Sequence, residues 1–467
     1  MGPFTSTLGS RLKQAASLLF LVVFAPSFVI AQAPTLNPGD AELTVPQARA
    51  LARQAALQGD LQLADALSSA LLAQDPDDPQ ALLVRAVVAR GVGQLDDAHD
   101  AAARAFRNSD IPALRFDAAM LAADIQTRRE KFTSAQIWLR RADQLAPDDP
   151  RRQLVARSYQ QVSRRNPLRV QLRFSARPSN NVNNGADDIV IEIGGLPFVI
   201  DPSGQQLGGF EASTGASISY RLSESETQRT EALGEVYYRK IWLNSSAKAT
   251  APDAKGSDFD YGVLIGGIRH SELFWPEIGV SRITGLVGQS WYGGDKLERF
   301  GELALEQTVE QGEGRWLNFE TVLRTDKRLD SSINSANSVA LTAELFRAVE
   351  SGGRYSAGGT ISNVWSDSAT VDHFSTELFA SRDFDRIGAI LPSVNASVEQ
   401  RIYHKFGSAP DGREDLSLSI GVDIVWPDIS YYGFQPQLSV QARRTESNVD
   451  IYNRNEYSIG LTAVSRF

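Results

Sequence analysis

From Leu168 to its last residue the chain alternates apolar and polar side chains with a period of two, and it does so in segments too long for an ordinary soluble sheet. Leu416, Leu418, Ile420, Val422, Ile424 and Trp426 alternate with Ser417, Ser419, Gly421 and Asp423. Phe434, Pro436, Leu438, Val440 and Ala442 alternate with Gln435, Gln437, Ser439 and Gln441, and Tyr457, Ile459, Leu461 and Ala463 with Ser458, Gly460 and Thr462. Leu317, Phe319 and Leu323 stand against Asn318, Glu320 and Arg324 in the same way. Successive side chains of a strand point to opposite faces, so each segment has one apolar face. A soluble sandwich shares that property. Length separates the two cases: these segments run about 11 to 16 residues, against about 5 or 6 in soluble strands, which is enough to cross a bilayer at a tilt.

Fourteen spans result: 168–178, 210–222, 228–242, 258–270, 276–290, 297–310, 314–326, 336–350, 353–366, 371–384, 390–405, 413–427, 433–447 and 455–467. Their connections differ by parity. The long ones, 179–209, 243–257 and 327–335, all follow odd-numbered spans, and the even-to-odd connections are short. Short turns on one side, longer loops on the other and an even strand count are the pattern of a transmembrane β-barrel, and closure removes sheet edges that hydrocarbon would leave unpaired. The first long loop, 179–209, holds two short apolar pieces, 189–193 and 198–200, around Gly194-Gly195. They are too short to span and read as a loop hairpin, with a sixteen-strand barrel as the alternative. Six of the seven tryptophans, at 242, 275, 291, 316, 365 and 426, fall near segment ends, as expected of aromatic girdles.

Before Asn166-Pro167 the composition changes. Residues 32–165 are rich in Ala, Leu and Arg, and a small residue recurs with partners at +4, +7 and +12. The copies are Ala64, Ser68, Leu71 and Pro76; Ala98, Ala102, Ala105 and Asp110; and Ala135, Leu139, Ala142 and Pro147. Their spacing is close to the tetratricopeptide period of about 34 residues, so this region reads as a short array of helix pairs in which the alanines allow close packing. The acidic turns at 75–79 and 147–150 are then helix caps; their spacing does not suit a calcium loop. Ahead of the array, Arg11 and Lys13 precede an apolar run from Ala15 to Ile30 and small residues at Ala31 and Ala33, which reads as a signal peptide over 1–31. The fold expected is therefore a tetratricopeptide-like helical domain over 32–165, kept in the periplasm, followed by a fourteen-strand antiparallel outer-membrane barrel over 166–467.

Residues 32–165 carry 17 Lys and Arg against 17 Asp and Glu, while 166–467 carry 28 against 39. A net-acidic barrel half repels a phosphate backbone, so nucleic acid is not an expected partner. There is no cysteine, which removes thiolate metal sites and thiol nucleophiles. The four histidines stand at no metal-binding spacing, and neither a nucleophile elbow nor a P-loop occurs. His270 and Ser271 are the nearest approach to a nucleophile and base, but neighbours on a strand face opposite ways. No enzyme, cofactor or metal is expected. Glu302, Glu306, Glu310 and Glu320 beside Arg324 and Arg443 read either as a selective pore or as the ion-paired filling of a barrel interior.

The order of parts resembles the surface lipoprotein assembly modifier family of Gram-negative bacteria. The most specific stretch is Ala176-Arg177-Pro178-Ser179-Asn180-Asn181-Val182-Asn183-Asn184-Gly185, with Gly208-Gly209-Phe210 opening the second strand and Phe467 at the terminus. A terminal aromatic on the face of Tyr457, Ile459 and Leu461 matches the signal that hands barrels to the outer-membrane assembly machinery. The resemblance implies a translocation factor whose helical groove engages a client lipoprotein, a secreted protein or its chaperone while the barrel, set in the lipid bilayer, helps the client cross. The rival reading is a porin or polysaccharide-export channel with a helical scaffold.

Overall fold

The computed structural model describes residues 43–193, 196–275, 278–312, 314–349, 352–407 and 411–465. The chain divides into two compact units between Val162 and Ser163. The proposed signal peptide, Gly194-Gly195 and Phe467 lie outside the described residues.

The first unit is built of helices α1 (Val45–Gln58), α2 (Leu61–Gln74), α3 (Pro79–Gly91), α4 (Leu95–Asn108), α5 (Pro112–Arg128), α6 (Phe132–Leu145) and most of α7 (Asp149–Arg165). Helices α2, α4 and α6 begin at Leu61, Leu95 and Phe132, and each buries its small residue: Ala64, Ala98 and Ala135 are all 0% exposed. Their partners one and two turns on, Ser68 and Leu71, Ala102 and Ala105, Leu139 and Ala142, are buried too. A methyl at these positions lets neighbouring helix axes approach closely. The acidic turns act as caps: Asp78 Oδ1 accepts from the N–H groups of Gln80 and Ala81 ahead of Pro79, and Asp148 accepts from Arg151 N–H. Pro147 sits exposed in the turn before α7. No helix among the described residues is long and apolar enough to cross a membrane.

The second unit is a closed antiparallel barrel. Its strands are β1 (Leu168–Ser179), β4 (Gly209–Glu224), β5 (Gln228–Leu243), β6 (Tyr261–Trp275), β7 (Gly279–Tyr292), β8 (Asp295–Gly312) and β9 (Arg315–Arg328). The circle continues with β10 (Ala336–Ala348), β11 (Arg354–Ser366), β12 (His373–Asp383), β13 (Leu391–Tyr403), β14 (Arg413–Val425), β15 (Phe434–Ser447) and β16 (Arg454–Ser465). Each pairs with its sequence neighbour and β1 closes on β16, which makes fourteen strands. The remaining two, β2 (Val190–Ile193) and β3 (Leu196–Val199), form a separate two-stranded sheet inside the first long connection. A sixteen-strand barrel is thereby excluded. Four residues each is too short to span, and the pair satisfies its ladder locally.

The apolar faces point outward. Leu416, Leu418 and Ile420 are 50%, 61% and 53% exposed, and the same outer face carries Leu264, Val287, Leu341 and Ile361. In water such a girdle would be an aggregating surface; in lipid it is solvated. One tryptophan departs from the girdle expectation. Trp316 pairs with Phe346 on the face that also carries Asn318 and Glu320, and its ring stacks on Phe346 at 5.5 Å, so it lines the inside of the wall. Proximity to a strand end is blind to face, and only register separates the two.

Candidate functional site

The connections sort to two ends. At the proximal end, where Leu168 begins β1, turns such as 225–227 are short, and the longest among the fully described connections there is 426–433. The distal end carries 180–208 and 244–260. These two loops build a core of their own: Val182 and Leu207 pack with Ile241, Leu243, Ala247 and Ala251, the last four contributed by the end of β5 and by the short helix α8 (Ser245–Thr250) with its C-cap. Ile241 pairs with Glu211, which pairs with Arg177, so this core rests on the inner face of the wall at the distal mouth.

The asparagine run folds the first loop. Asn181 Oδ1 accepts from Gly185 N–H at 2.8 Å while its Nδ2 donates to Gly185 O at 3.0 Å. Asn183 Nδ2 donates to Gln205 O at 2.7 Å, and a parallel bridge joins Ala186 to Gln205. The glycines are needed for close approach. A Cβ at Gly185 would stand 2.3 Å from Gln205 O, and one at Gly209 would stand 2.4 Å from Trp242 O. Asp260 locks the second loop to β5, accepting from Tyr238 Oη at 3.0 Å, Lys240 Nζ at 2.9 Å and Ile241 N–H at 2.9 Å.

Beneath these loops lies a cavity of about 630 Å3 that reaches across the lumen, from Arg239 and Tyr292 on one side to Asn395 and Ser419 on the other. Asn181, Val182, Asn183 and Asn184 form part of its wall. Most of its charged lining is paired: Glu211, 4% exposed, takes Arg177 at 3.0 Å and Arg239 at 4.0 Å, and Arg443 reaches Glu399 at 3.3 Å. Higher on the same wall Arg413 pairs with Asp415 and lies between the rings of Tyr403 and Tyr452, at 4.1 and 3.2 Å. On β8 and β9, Arg324 holds Glu298, Glu302 and Asp326 at 3.5, 3.4 and 2.8 Å. Such an interior is wet, polar and largely neutralised pair by pair. It offers hydrogen-bonding surface to a polypeptide and little to an aliphatic chain.

The surface lipoprotein assembly modifier family model matches residues 169–467, which spans the barrel from β1 to the end of the chain. The chain belongs to that family. Membership and a lipid-faced closed barrel together make it an outer-membrane protein of the surface-lipoprotein assembly class, a class of translocation proteins rather than enzymes. No curated protein matches the chain. Among solved structures, the type III secretion translocator chaperone SycD of Yersinia enterocolitica is 20% identical, over 27% of this chain and 86% of its own, with a TM-score of 0.24. OccAB3 of Acinetobacter baumannii is 8% identical, covering 64% of this chain and 99% of its own, at 0.34. A bacterial polysaccharide outer membrane secretin is 9% identical, covering 64% and 98%, at 0.32. At scores this low none of these likenesses bears on function.

Within the family's barrel, the residues singled out from sequence fall in distinct places. Tyr457, Ile459 and Leu461 are 60%, 55% and 58% exposed on the lipid face of β16. Glu302 and Glu306 face the lumen with Arg324 and Arg282 as partners, and Glu320 stands opposite Glu306 across the β8–β9 ladder. His270 and Ser271 lie on opposite faces, His270 Nδ1 being 2.9 Å from Thr230 Oγ1. The distal core was not legible in the sequence. Its apolar members are single residues scattered over 182–251, with no periodicity to join them.

Proposed function

We propose that this chain delivers lipoproteins, or secreted client proteins, to the cell surface. The family match over the whole barrel carries the reading. A signal peptide over 1–31 takes the chain out of the cytoplasm, residues 32–165 form a periplasmic array that engages the client or its chaperone, and residues 166–467 form the barrel. Long distal loops face outward, as is usual for outer-membrane barrels. The repeat-packing residues Ala64, Ala98, Ala135, Leu139 and Ala142, with Pro147 in the following turn, keep the array's curvature. Tyr457, Ile459, Leu461 and Phe467 form the signal read by the barrel-assembly machinery as β16 is inserted.

Co-expression with a lipoprotein encoded beside this chain, followed by labelling of intact cells, tests the reading. Surface labelling of the lipoprotein is expected to need this chain. Labelling that persists undiminished after deletion sinks it.

A further inference from the structure

The barrel wall is not uniform around its circumference. β1 pairs with β4 without a break from Leu168↔Tyr220 to Ser179↔Gly209, and β15 with β16 from Phe434↔Ser465 to Thr445↔Arg454. Between β1 and β16 the described pairing runs from Arg173↔Val464 to Ala176↔Leu461 and resumes at Ser179↔Ser458. Arg177 and Pro178 fall in the gap, and a proline has no N–H to give to a ladder. Elsewhere the described register shifts, at 221/223, 272/275, 290/291 and 310/312, lie beside turns that tie the two strands together. The first and last strands have no such turn.

Side chains and backbone of the segment after β1 hold this seam at the distal end. Asn180 Oδ1 accepts from Tyr457 N–H at 2.7 Å, and its Nδ2 donates to Asn455 O at 2.7 Å. Asp187 N–H donates to Asn453 O at 3.1 Å, and Asn455 Nδ2 donates to the Asp187 carboxylate. Arg454 reaches Asn184 Oδ1 at 2.8 Å. The same segment, Asn181 to Asn184, walls the luminal cavity. A chain that fills the cavity presses on the latch.

The two faces of the seam also differ. Inside stand Arg177, Glu211, Gln441 and Glu456; outside stand Phe174, Ile459 and Leu461, each about half exposed. A lipoprotein carries acyl chains, and each methylene held against a wet polar wall costs free energy that lipid would return. We propose that the β1–β16 seam is a side exit through which the client's acyl chains pass from lumen to bilayer, with segment 180–187 as its latch. The inference rests on the delivery of lipoproteins proposed above.

The absence of cysteine makes a direct test possible. Thr462 Oγ1 lies 3.2 Å from Ser175 Oγ across the seam, and Thr342 Oγ1 lies 2.9 Å from Thr360 Oγ1 across β10–β11, away from the seam. The pair Ser175→Cys and Thr462→Cys, oxidised after the barrel is in the membrane, locks the seam; Thr342→Cys with Thr360→Cys is the control lock. The expected result is loss of lipoprotein delivery in the seam-locked protein, down to the level of cells lacking this chain, with recovery on reduction and no loss in the control. Undiminished delivery through a seam whose disulfide is verified by mass spectrometry overturns the side exit while leaving the delivery reading intact, as does equal loss with the control lock. Failure of the reduced variants and of the unsubstituted protein to deliver any lipoprotein overturns both.

Discussion

Asn183 seats Leu207: its Oδ1 accepts the leucine N–H at 2.9 Å, and the leucine side chain, 0% exposed, belongs to the core that rests on the wall at the distal mouth. This ties the asparagine run to the openness of the pore. Leu207→Ala truncates a buried member of that small core, at a cost of about 2 to 5 kcal/mol to that local structure. The strands keep their own ladders, so the barrel is expected to assemble and to keep its heat-modifiable migration. The leak should rise, read as larger single-channel conductance in planar bilayers and as greater sensitivity of cells to bulky antibiotics. Unchanged conductance would mean that the loops do not limit passage.

Gly185→Val tests the same loop through its backbone. The new side chain would meet Gln205 O at 2.3 Å, and a carbonyl held by Asn183 cannot step aside alone. The bridge from Ala186 to Gln205 is expected to open, with protease cleavage of intact cells appearing within 180–208. Resistance equal to the parent protein would show that the loop has room that the geometry denies.

These two cases also mark what could be read from sequence. Period-two alternation located the strands because each presents one face to lipid along most of its length, so packing blurs the pattern little: β15 runs Phe434–Ser447 where 433–447 is expected. The repeat of small residues found α2, α4 and α6 for a similar reason, since a helix contact at a fixed spacing leaves a fixed trace. The asparagine run was visible, but its meaning lay in partners more than 20 residues away, Gln205, Leu207 and the far end of β16. Hydrogen bonds to backbone leave no mark on the partner's identity. The gap at Arg177-Pro178 is likewise invisible until β16 is laid beside it.

Overpacking of the helical unit gives a third test. Ala98 is 0% exposed, and Ala98→Leu adds three carbons at a fully buried helix contact. A loss of about 1 to 3 kcal/mol is expected in the stability of the first unit, seen as earlier cleavage of residues 43–162 in limited proteolysis across a urea series, while the barrel's migration is unchanged. The control Ala98→Gly should cost less, about 1 kcal/mol from helix propensity. If both variants behave like the parent, the small-residue contact does not hold the pairs together.

The pH dependence of that unit turns on His99. Trp138 Nε1 donates to His99 Nε2 at 3.2 Å, which requires an unprotonated ring nitrogen. Burial, then the nearby Arg129 charge, holds the His99 pKa below its ordinary 6.5. A base whose folded pKa is depressed takes up its proton more readily when unfolded, so stability is full above 6.5 and falls as pH drops from there toward the folded pKa. Asp117 and Asp143, whose carboxyls are pushed up by burial, act in the opposite sense at lower pH: their folded forms gain as pH descends toward 3.8. Comparing the parent with His99→Gln cancels the carboxylates, which both proteins share. Urea midpoints of the helical unit, followed by proteolysis, should fall further for the parent than for His99→Gln when pH is taken from above 6.5 to below it. Parallel midpoints at both pH values would place the titration elsewhere than at the Trp138 contact.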